Sequence, residues 1–227
     1  MAKHTRIKDD VYPTPEWCVH RLLDEWCPNR PTILLEPCVG DGAILKAFQT
    51  YAGGGVWVSE WHISDKHLTE DMEYELRGLF GYDEAGLVLP ALPIGNTYVG
   101  KGCYSQYRVA DRHRIPTTVI TNPPYSIAAD LILHFRRTLP FAEIVMLLRL
   151  GFLESEERNS FYAEMGIPDL YILPNRPSFI KTESASTDKT SYAWFVWPGG
   201  GPRSTGRIVR LRHTPIHERL NQNEKQK

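Results

Sequence analysis

The amino-acid sequence predicts an α/β domain with a mostly parallel sheet that is covered by helices on both faces. Short apolar runs alternate along the chain with stretches of helical spacing. Two unusual turns, one rich in glycine and one with two prolines, come directly after two of these runs. Because parallel sheets bind ligands outside the carboxyl ends of their strands, we expect a functional site at these turns.

Length and composition limit the class of protein. With 227 residues, of which 42% are hydrophobic and 23% charged, we expect one globular domain. The net charge of −1 disfavours a uniformly basic coat for nucleic acid and leaves a local binding cleft open. We expect a cytoplasmic protein without a membrane partner, since the sequence has no long apolar run and no apolar signal segment. Four cysteines without a CxxC pair favour reduced thiols, and no metal site is predicted.

The first half of the chain reads as alternating helices and strands. Thr14 and Pro15 predict a helix start, because a hydroxyl residue followed by proline is typical of helix N-termini. A strand over 32–36, a helix over 43–51 and a strand over 56–63 follow. Residues 67–80 allow a helix. Because Gly and Pro are frequent after that, we predict an irregular insertion over about 66–102.

The second half adds strands over 117–121, 143–148, 169–173 and 192–197. Helices are predicted from Ser126, as an N-cap, and over 155–164. From Arg203 onward, five Arg and two Lys stand against two Glu. We therefore predict a single domain over 1–202 and a basic tail over 203–227. The tail either contacts phosphate or is a solvated terminus.

The glycine-rich turn runs from Glu36 through Pro37 to Gly40 and Gly42. Its glycines leave room for a ligand at the start of a helix, which suits the carboxylate of an amino-acid-like cofactor. A nucleotide phosphate fits less well, because both GxGxxG and a P-loop lysine are absent. Glu60, near the end of the next predicted strand, is a candidate for ribose hydroxyls, and Asp65 competes for that role. A purely structural turn and a surface acid are the alternatives.

The second turn has the sequence Asn122-Pro123-Pro124-Tyr125, here called the Asn-Pro-Pro-Tyr loop. Consecutive prolines fix φ and remove backbone donors, so the chain cannot continue as an interior strand. The Asn122 side-chain oxygen and the Pro123 carbonyl can together accept both hydrogens of an exocyclic amine, and the Tyr125 ring offers a stacking face. The alternative is a proline turn that only ends a strand.

Together the two turns resemble the paired motifs of the S-adenosylmethionine-dependent DNA N6-adenine methyltransferases, including compact phage-type members. Residues 12–15, with the sequence Tyr-Pro-Thr-Pro, are similar to the cofactor motif that precedes the glycine turn in that family. Asp111 resembles the acidic position that reads the adenine of the cofactor. Phe179 resembles the late aromatic residue that stacks on the extruded base.

The resemblance implies a Rossmann-like class I methyltransferase fold with a seven-stranded sheet, whose last two strands form a hairpin at one edge. It implies methyl transfer from S-adenosylmethionine to the N6 amino group of adenine in DNA, with the base flipped out of the helix and S-adenosylhomocysteine as the product. The implied catalytic residues are Asn122, Pro123, Pro124 and Tyr125, with Tyr125 and Phe179 stacking on the base. The implied cofactor residues are Tyr12, Thr14, Pro15, Glu36, Pro37, Gly40, Gly42, Glu60, Asp111 and Asn122.

The sequence departs from the family pattern in one respect: about thirty residues follow Trp197, so we expect no separate target-recognition domain. A second chain is therefore a candidate source of sequence specificity. Three other functions stay open. In the first, the methyl acceptor is adenine in RNA. In the second, the acceptor is the side-chain amide of a glutamine in a protein. In the third, the chain is a regulator that binds nucleic acid without catalysing a reaction.

Overall fold

The computed structural model describes residues 13–26, 32–53, 58–67, 69–78, 97–101, 115–179, 190–200 and 206–219. Helices and strands alternate through most of the described chain. The helices are α1 (Glu16–Glu25), α2 (Ala43–Thr50), α3 (Glu70–Gly78), α4 (Ala128–Thr138) and α5 (Asn159–Met165). The strands are β1 (Thr32–Glu36), β2 (Val58–Asp65), β3 (Thr97–Lys101), β4 (Thr118–Thr121), β5 (Glu143–Arg149), β6 (Asp169–Ile172), β7 (Tyr192–Trp197) and β8 (Ile208–Arg210).

The described strands form one sheet in the order β3-β2-β1-β4-β5-β7-β6-β8. Neighbours among β1 to β5 are parallel, whereas β7 runs antiparallel to both β5 and β6. The predicted α/β fold, mostly parallel and with an antiparallel pair of late strands, is confirmed. The pair β6 and β7 is not at the edge, however, because β8 adds a parallel strand beyond β6. The sheet therefore has eight described strands, one more than the resemblance implies.

Both faces of the sheet are buried, and this explains why its strands read as continuous apolar runs. Along β1, Leu34 belongs to the core that includes α1 and α2, and Leu35 belongs to the core that includes α4 and α5. Both side chains are fully buried. The order of the strands changes direction between β1 and β4, so the crevice at this point opens at their carboxyl ends.

Three local predictions were wrong in detail. Helix α1 begins at Glu16, so Pro15 and not Thr14 is at the N-cap position. The N-cap residue makes no side-chain hydrogen bond to the helix. Ser126 is not an N-cap, because residues 125–127 form a 3-10 turn before α4 begins. The predicted irregular insertion contains strand β3, which pairs in parallel with β2, whereas α3 lies within residues 67–80, where the sequence allows a helix. A parallel partner supplies the backbone hydrogen bonds of β3, and no local pattern in a Gly-rich segment reveals such a partner.

Residues 206–219, in the stretch predicted as a basic tail, contribute β8 and a final helical turn over 216–219. Leu211 and Thr214 are completely buried there. Within the described part of the chain, none of the helices has the length and apolar character needed to cross a membrane.

Candidate functional site

The glycine turn, residues 37–42, connects β1 to α2. Gly40 and Gly42 have φ of 50° and 75°, values that L side chains rarely adopt, so glycine is required at both positions. The Gly42 N–H donates to the Val39 carbonyl at 2.8 Å, which closes the turn. A Cβ built on Gly40 would meet no atom of the described residues within 4 Å. The turn therefore presents its backbone to open space at the mouth of α2.

Asp65 holds the turn against the end of the neighbouring strand. It is the last residue of β2, and its Oδ2 accepts a hydrogen bond from the Gly40 N–H at 2.9 Å. Its Oδ1 accepts from the His67 N–H at 2.7 Å. The carboxylate is thus fixed beside the open space at Gly40, where it can meet a ligand that approaches the turn.

Glu60 does not occupy the position that the sequence analysis gave it. Strand β2 continues to Asp65, and Glu60 pairs in register with Ile33 near the start of β1. Five residues at about 3.3 Å each separate the two acids, so Glu60 lies roughly 16 Å from the carboxyl end of the sheet. It is buried, and its Oε1 is 2.6 Å from His62 Nε2. Its predicted place at the end of the strand was wrong, because β2 is longer than its apolar pattern suggested.

Glu36 brings a buried carboxyl group to the same turn. The residue is 2% exposed, and its Oε2 has no hydrogen-bond partner among the described residues. Burial raises the pKa of this carboxyl well above its usual value, and the negative charges of Asp41 and Asp65 raise the pKa further. A buried carboxyl with an unpartnered oxygen suits a ligand that brings a hydrogen-bond donor or a positive charge.

The Asn-Pro-Pro-Tyr loop leaves the sheet at the end of β4, which is the direct neighbour of β1. Asn122 is partly exposed and Pro123 is buried. The Tyr125 hydroxyl donates to the Asn122 Oδ1 at 3.3 Å. Since an amide oxygen has two lone pairs, Asn122 can still accept from a substrate amine. The two turns singled out by the sequence therefore end adjacent parallel strands, and the chain brings them to one crevice.

An aromatic group adjoins this loop. Tyr192 is buried at the start of β7, and its ring meets the Phe179 ring edge-on with centroids 5.0 Å apart. The Tyr125 and Tyr192 ring centroids are 6.0 Å apart. The structure thus places Phe179 one ring away from Tyr125, although the two residues are 54 positions apart in the sequence.

Sequence reasoning missed Arg149, the last residue of β5. Its guanidinium carbon lies 4.8 Å from the centroid of the Tyr125 ring, and its Nε donates to the Tyr192 hydroxyl at 3.2 Å. A cation at the end of an apolar strand resembles an ordinary surface residue. Its position at a strand end that faces the same crevice was the only sequence signal that could have indicated it.

The remaining predicted residues are less well defined. Thr14 is buried before α1, and this helix contacts the C-terminal half of α2, where His20 Nε2 lies 2.9 Å from the Ala47 carbonyl. The glycine turn is at the other end of α2, so the cofactor roles of Thr14 and Pro15 stay predictions. Pro37 is buried directly after Glu36. Tyr12 and Asp111 lie outside the described residues.

Among sequences, no protein-family model and no curated protein matches this chain. Solved structures match its fold. A methyltransferase subunit of a type I restriction-modification system from Streptococcus thermophilus has a TM-score of 0.56 at 15% identity, over 95% of this chain and 52% of the subunit. This chain therefore spans about half the length of that protein.

Two further structures are covered over more of their own length. A putative RNA methyltransferase from Pyrococcus horikoshii has a TM-score of 0.55 at 12% identity, over 89% of this chain and 90% of its own. A putative class I S-adenosylmethionine-dependent methyltransferase from Listeria monocytogenes has a TM-score of 0.51 at 12% identity, over 92% of this chain and 67% of its own. The fold is that of the class I, Rossmann-like methyltransferases. At these identities the likeness extends to the fold alone.

Proposed function

We propose that this protein transfers a methyl group from S-adenosylmethionine to the N6 amino group of adenine in DNA. The observation that carries the proposal is the crevice between β1 and β4. One side has a glycine turn with open space at Gly40, and the other has the Asn-Pro-Pro-Tyr loop. In a class I fold this is the switch point at which ligands bind.

The residues of the glycine turn fit the proposed cofactor. S-adenosylmethionine carries an ammonium group and a sulfonium group, and it supplies an electrophilic methyl group when it is bound. Asp65 places a carboxylate beside the open space at Gly40, and Glu36, which ends β1, is close enough for the Asp65 charge to raise its pKa. The negative charge of Asp65 favours a positively charged ligand and disfavours a nucleotide phosphate, and the unpartnered Glu36 carboxyl oxygen suits a hydrogen-bond donor. Asp65 takes the ribose role first considered for Glu60, and Asp111 keeps its proposed role at the cofactor adenine.

Asn122 and the Pro123 carbonyl prepare the target amine. The lone pair of an aromatic amine is delocalised into its ring, so the nitrogen is a poor nucleophile. Accepting both of its hydrogens favours a pyramidal nitrogen whose lone pair points toward the cofactor. These hydrogen bonds strengthen as positive charge develops on the nitrogen, so no separate general base is required for the transfer. The N–CH3 bond forms as the S–CH3 bond breaks, which leaves S-adenosylhomocysteine, and the surplus N6 proton then passes to solvent. Pro124 fixes the backbone that aims the Pro123 carbonyl.

Tyr125 provides the stacking face of the proposed base pocket, and Phe179, a largely buried ring beside Tyr192, is the second aromatic residue proposed for it. A base inside a duplex cannot reach the Asn-Pro-Pro-Tyr loop, so it must be extruded at a cost of a few kcal/mol or be presented on a single strand. Stacking on aromatic side chains contributes on the order of 1–3 kcal/mol per base and offsets that cost. Both rings adjoin Tyr192, which gives them a common buried support.

DNA is the proposed partner, and a second chain is the proposed source of sequence specificity. One protein of similar fold, from Streptococcus thermophilus, is the methyltransferase subunit of a type I restriction-modification system. We propose the cytoplasm as the place of the reaction, in keeping with the resemblance to phage-type members that act on DNA there.

Transfer of labelled methyl groups tests the proposal. The protein is incubated with labelled S-adenosylmethionine and with DNA, RNA or protein acceptors, and the product nucleosides are then separated. We expect label in N6-methyladenine from DNA. Label in RNA or in glutamine would replace the proposed acceptor, and no label with any acceptor would contradict methyl transfer itself.

The Asn122→Ala variant tests the catalytic assignment. We expect it to abolish transfer while the dissociation constant for S-adenosylmethionine stays within about twofold, since Asn122 acts mainly on the acceptor amine. Asn159→Ala is a matched control, because Asn159 is an exposed residue at the start of α5. A parallel fall of cofactor affinity and activity in Asn122→Ala would assign this side chain to the cofactor instead.

A further inference from the structure

We propose that Arg149 is a positioning residue of the base pocket, which fixes the Tyr125 ring to the side of the pocket formed by Tyr192 and Phe179. The inference rests on the proposed function, because it assigns a role within the same pocket. In this role Arg149 orients an aromatic ring. The alternative role is that of a surface cation that attracts a DNA phosphate.

The first step is the register between β5 and β7. Arg149 and Tyr192 are directly opposite each other in this antiparallel pair, so their side chains leave the same face of the sheet. The Arg149 Nε donates to the Tyr192 hydroxyl at 3.2 Å. Strand pairing thus determines where the Nε atom of Arg149 lies.

The second step is the rigidity of the support. Tyr192 is 1% exposed, and its ring packs edge-on against Phe179 at 5.0 Å. Phe179 is itself 7% exposed. A buried ring that is packed against a second buried ring has little freedom to move, so Tyr192 is a fixed anchor for Arg149.

The third step links this anchor to the catalytic loop. The Arg149 guanidinium stacks on the Tyr125 ring at 4.8 Å, and the Tyr125 hydroxyl donates to the Asn122 Oδ1 at 3.3 Å. A continuous set of contacts therefore runs from Phe179 through Tyr192, Arg149 and Tyr125 to Asn122. It joins the proposed stacking residues to the proposed amine acceptor.

Arginine is suited to this task and lysine is not. A planar guanidinium group can stack on one ring and at the same time donate from its Nε to a second residue. A lysine ammonium is a single point charge on a flexible stem, so it cannot keep both contacts in fixed geometry. Phosphate attraction, in contrast, requires only the positive charge.

Arg149→Lys and Arg149→Met are the test variants. We expect KM for DNA to rise about fivefold in both, because the Tyr125 ring loses its fixed orientation. We expect kcat to fall less than KM rises and cofactor affinity to stay unchanged. The slope of binding against salt concentration should match that of the unmodified protein. Full activity of Arg149→Lys, or a salt slope in Arg149→Met that is smaller by about 0.9, would assign Arg149 to a phosphate and overturn the inference.

Arg158→Met is the matched control. The Arg158 guanidinium also lies over an aromatic ring, at 4.4 Å from the Phe152 centroid, but Phe152 belongs to the core on the other face of the sheet. We expect this variant to lose about as much stability as Arg149→Met. Its KM for DNA should equal that of the unmodified protein. An equal rise of KM in Arg158→Met would show that loss of any such contact impairs the enzyme, and this would also overturn the inference.

A measurement without nucleic acid separates this inference from the proposed function. In protein labelled at its tyrosine rings, the Tyr125→Phe variant identifies the NMR signal of Tyr125. We expect Arg149→Met to shift this signal and the signal of Tyr192, whether or not any acceptor is methylated. Unchanged ring signals would reject the role of Arg149, whereas an absence of methyl transfer by the unmodified protein would reject the proposed function.

Discussion

The side chain of Asp65, at the end of β2, accepts a hydrogen bond from the Gly40 N–H at 2.9 Å. This contact joins the glycine turn to the neighbouring strand and fixes a carboxylate beside the space that the turn leaves open. It provides an acidic residue at the correct end of the strand, which Glu60 does not.

Asp65→Asn should therefore weaken S-adenosylmethionine binding by about 10- to 100-fold, the loss expected for hydrogen bonds to a charged acceptor. The asparagine oxygen can still accept from the Gly40 N–H, so the turn should persist. Glu60→Gln, on the same strand, is the control and should leave the affinity unchanged. Calorimetric titration with the cofactor measures both. A larger loss in Glu60→Gln than in Asp65→Asn would reverse the assignment.

Gly40→Ala should cost about 1 kcal/mol of stability, because φ at this position is 50°. It should also reduce cofactor affinity by more than tenfold, since the added methyl group enters the space proposed for the ligand. Gly206→Ala is matched in strain, with φ of 58° and no atom of the described residues within 4 Å of its Cβ, and lies just before β8. It should lose similar stability but keep its affinity. Equal affinities in the two variants would place the ligand elsewhere.

Tyr125→Ala should impair DNA binding more than Tyr125→Phe, because the ring stacks on the base and the hydroxyl does not. Tyr125→Phe should nevertheless lower kcat by a few fold, since it removes the hydrogen bond that orients the Asn122 Oδ1. Steady-state kinetics with DNA separate the two effects. Identical values of KM in the two variants would argue against stacking.

Glu143 should make stability depend on pH. Burial raises its pKa to about 7, the charge of Asp169 also raises it, and the hydrogen bond from the Trp26 Nε1 lowers it. The folded state therefore keeps the proton between the usual glutamate pKa and about pH 7, while the unfolded state has lost it. Stability should fall as pH rises through this window, by on the order of 2–3 kcal/mol.

Denaturant unfolding at pH 5 and pH 8 measures this effect. Glu143→Gln keeps an oxygen for the Trp26 N–H and cannot ionise, so this part of the pH dependence should disappear. Glu143 is the first residue of β5, at the end of the sheet opposite the candidate site. An undiminished slope in Glu143→Gln would mean that another group titrates.

Thr214→Val should lower stability by about 1–3 kcal/mol, whereas Thr214→Ser should not. The Thr214 hydroxyl accepts from the Nε of buried Arg21 at 2.9 Å, and its N–H donates to the Asn175 Oδ1 at 2.7 Å. Valine leaves the Arg21 Nε without this acceptor, and serine retains it. Chemical denaturation of both variants provides the comparison. Equal stabilities would show that the hydroxyl contributes nothing measurable.

Much of the fold follows from local pattern. The apolar runs of β1, β4, β5 and β7 could be predicted because both faces of the sheet are buried and strand residues alternate between two cores. The glycine turn and the Asn-Pro-Pro-Tyr loop could be predicted because positive φ and consecutive prolines restrict the backbone locally. Strands β3 and β8 could not be predicted, since their neighbours in the sheet, and not their own residues, decide that they are strands.

The sequence by itself determined the fold class, the two turns and Asn122 as the candidate amine acceptor. Only the tertiary structure decided that Asp65 and not Glu60 lies beside the glycine turn, because the end of β2 is set by pairing with β1. Only the structure brought Arg149 onto the Tyr125 ring, since that contact depends on the register between β5 and β7. Residue types that restrict the backbone are visible locally, whereas contacts between distant segments require the packed sheet.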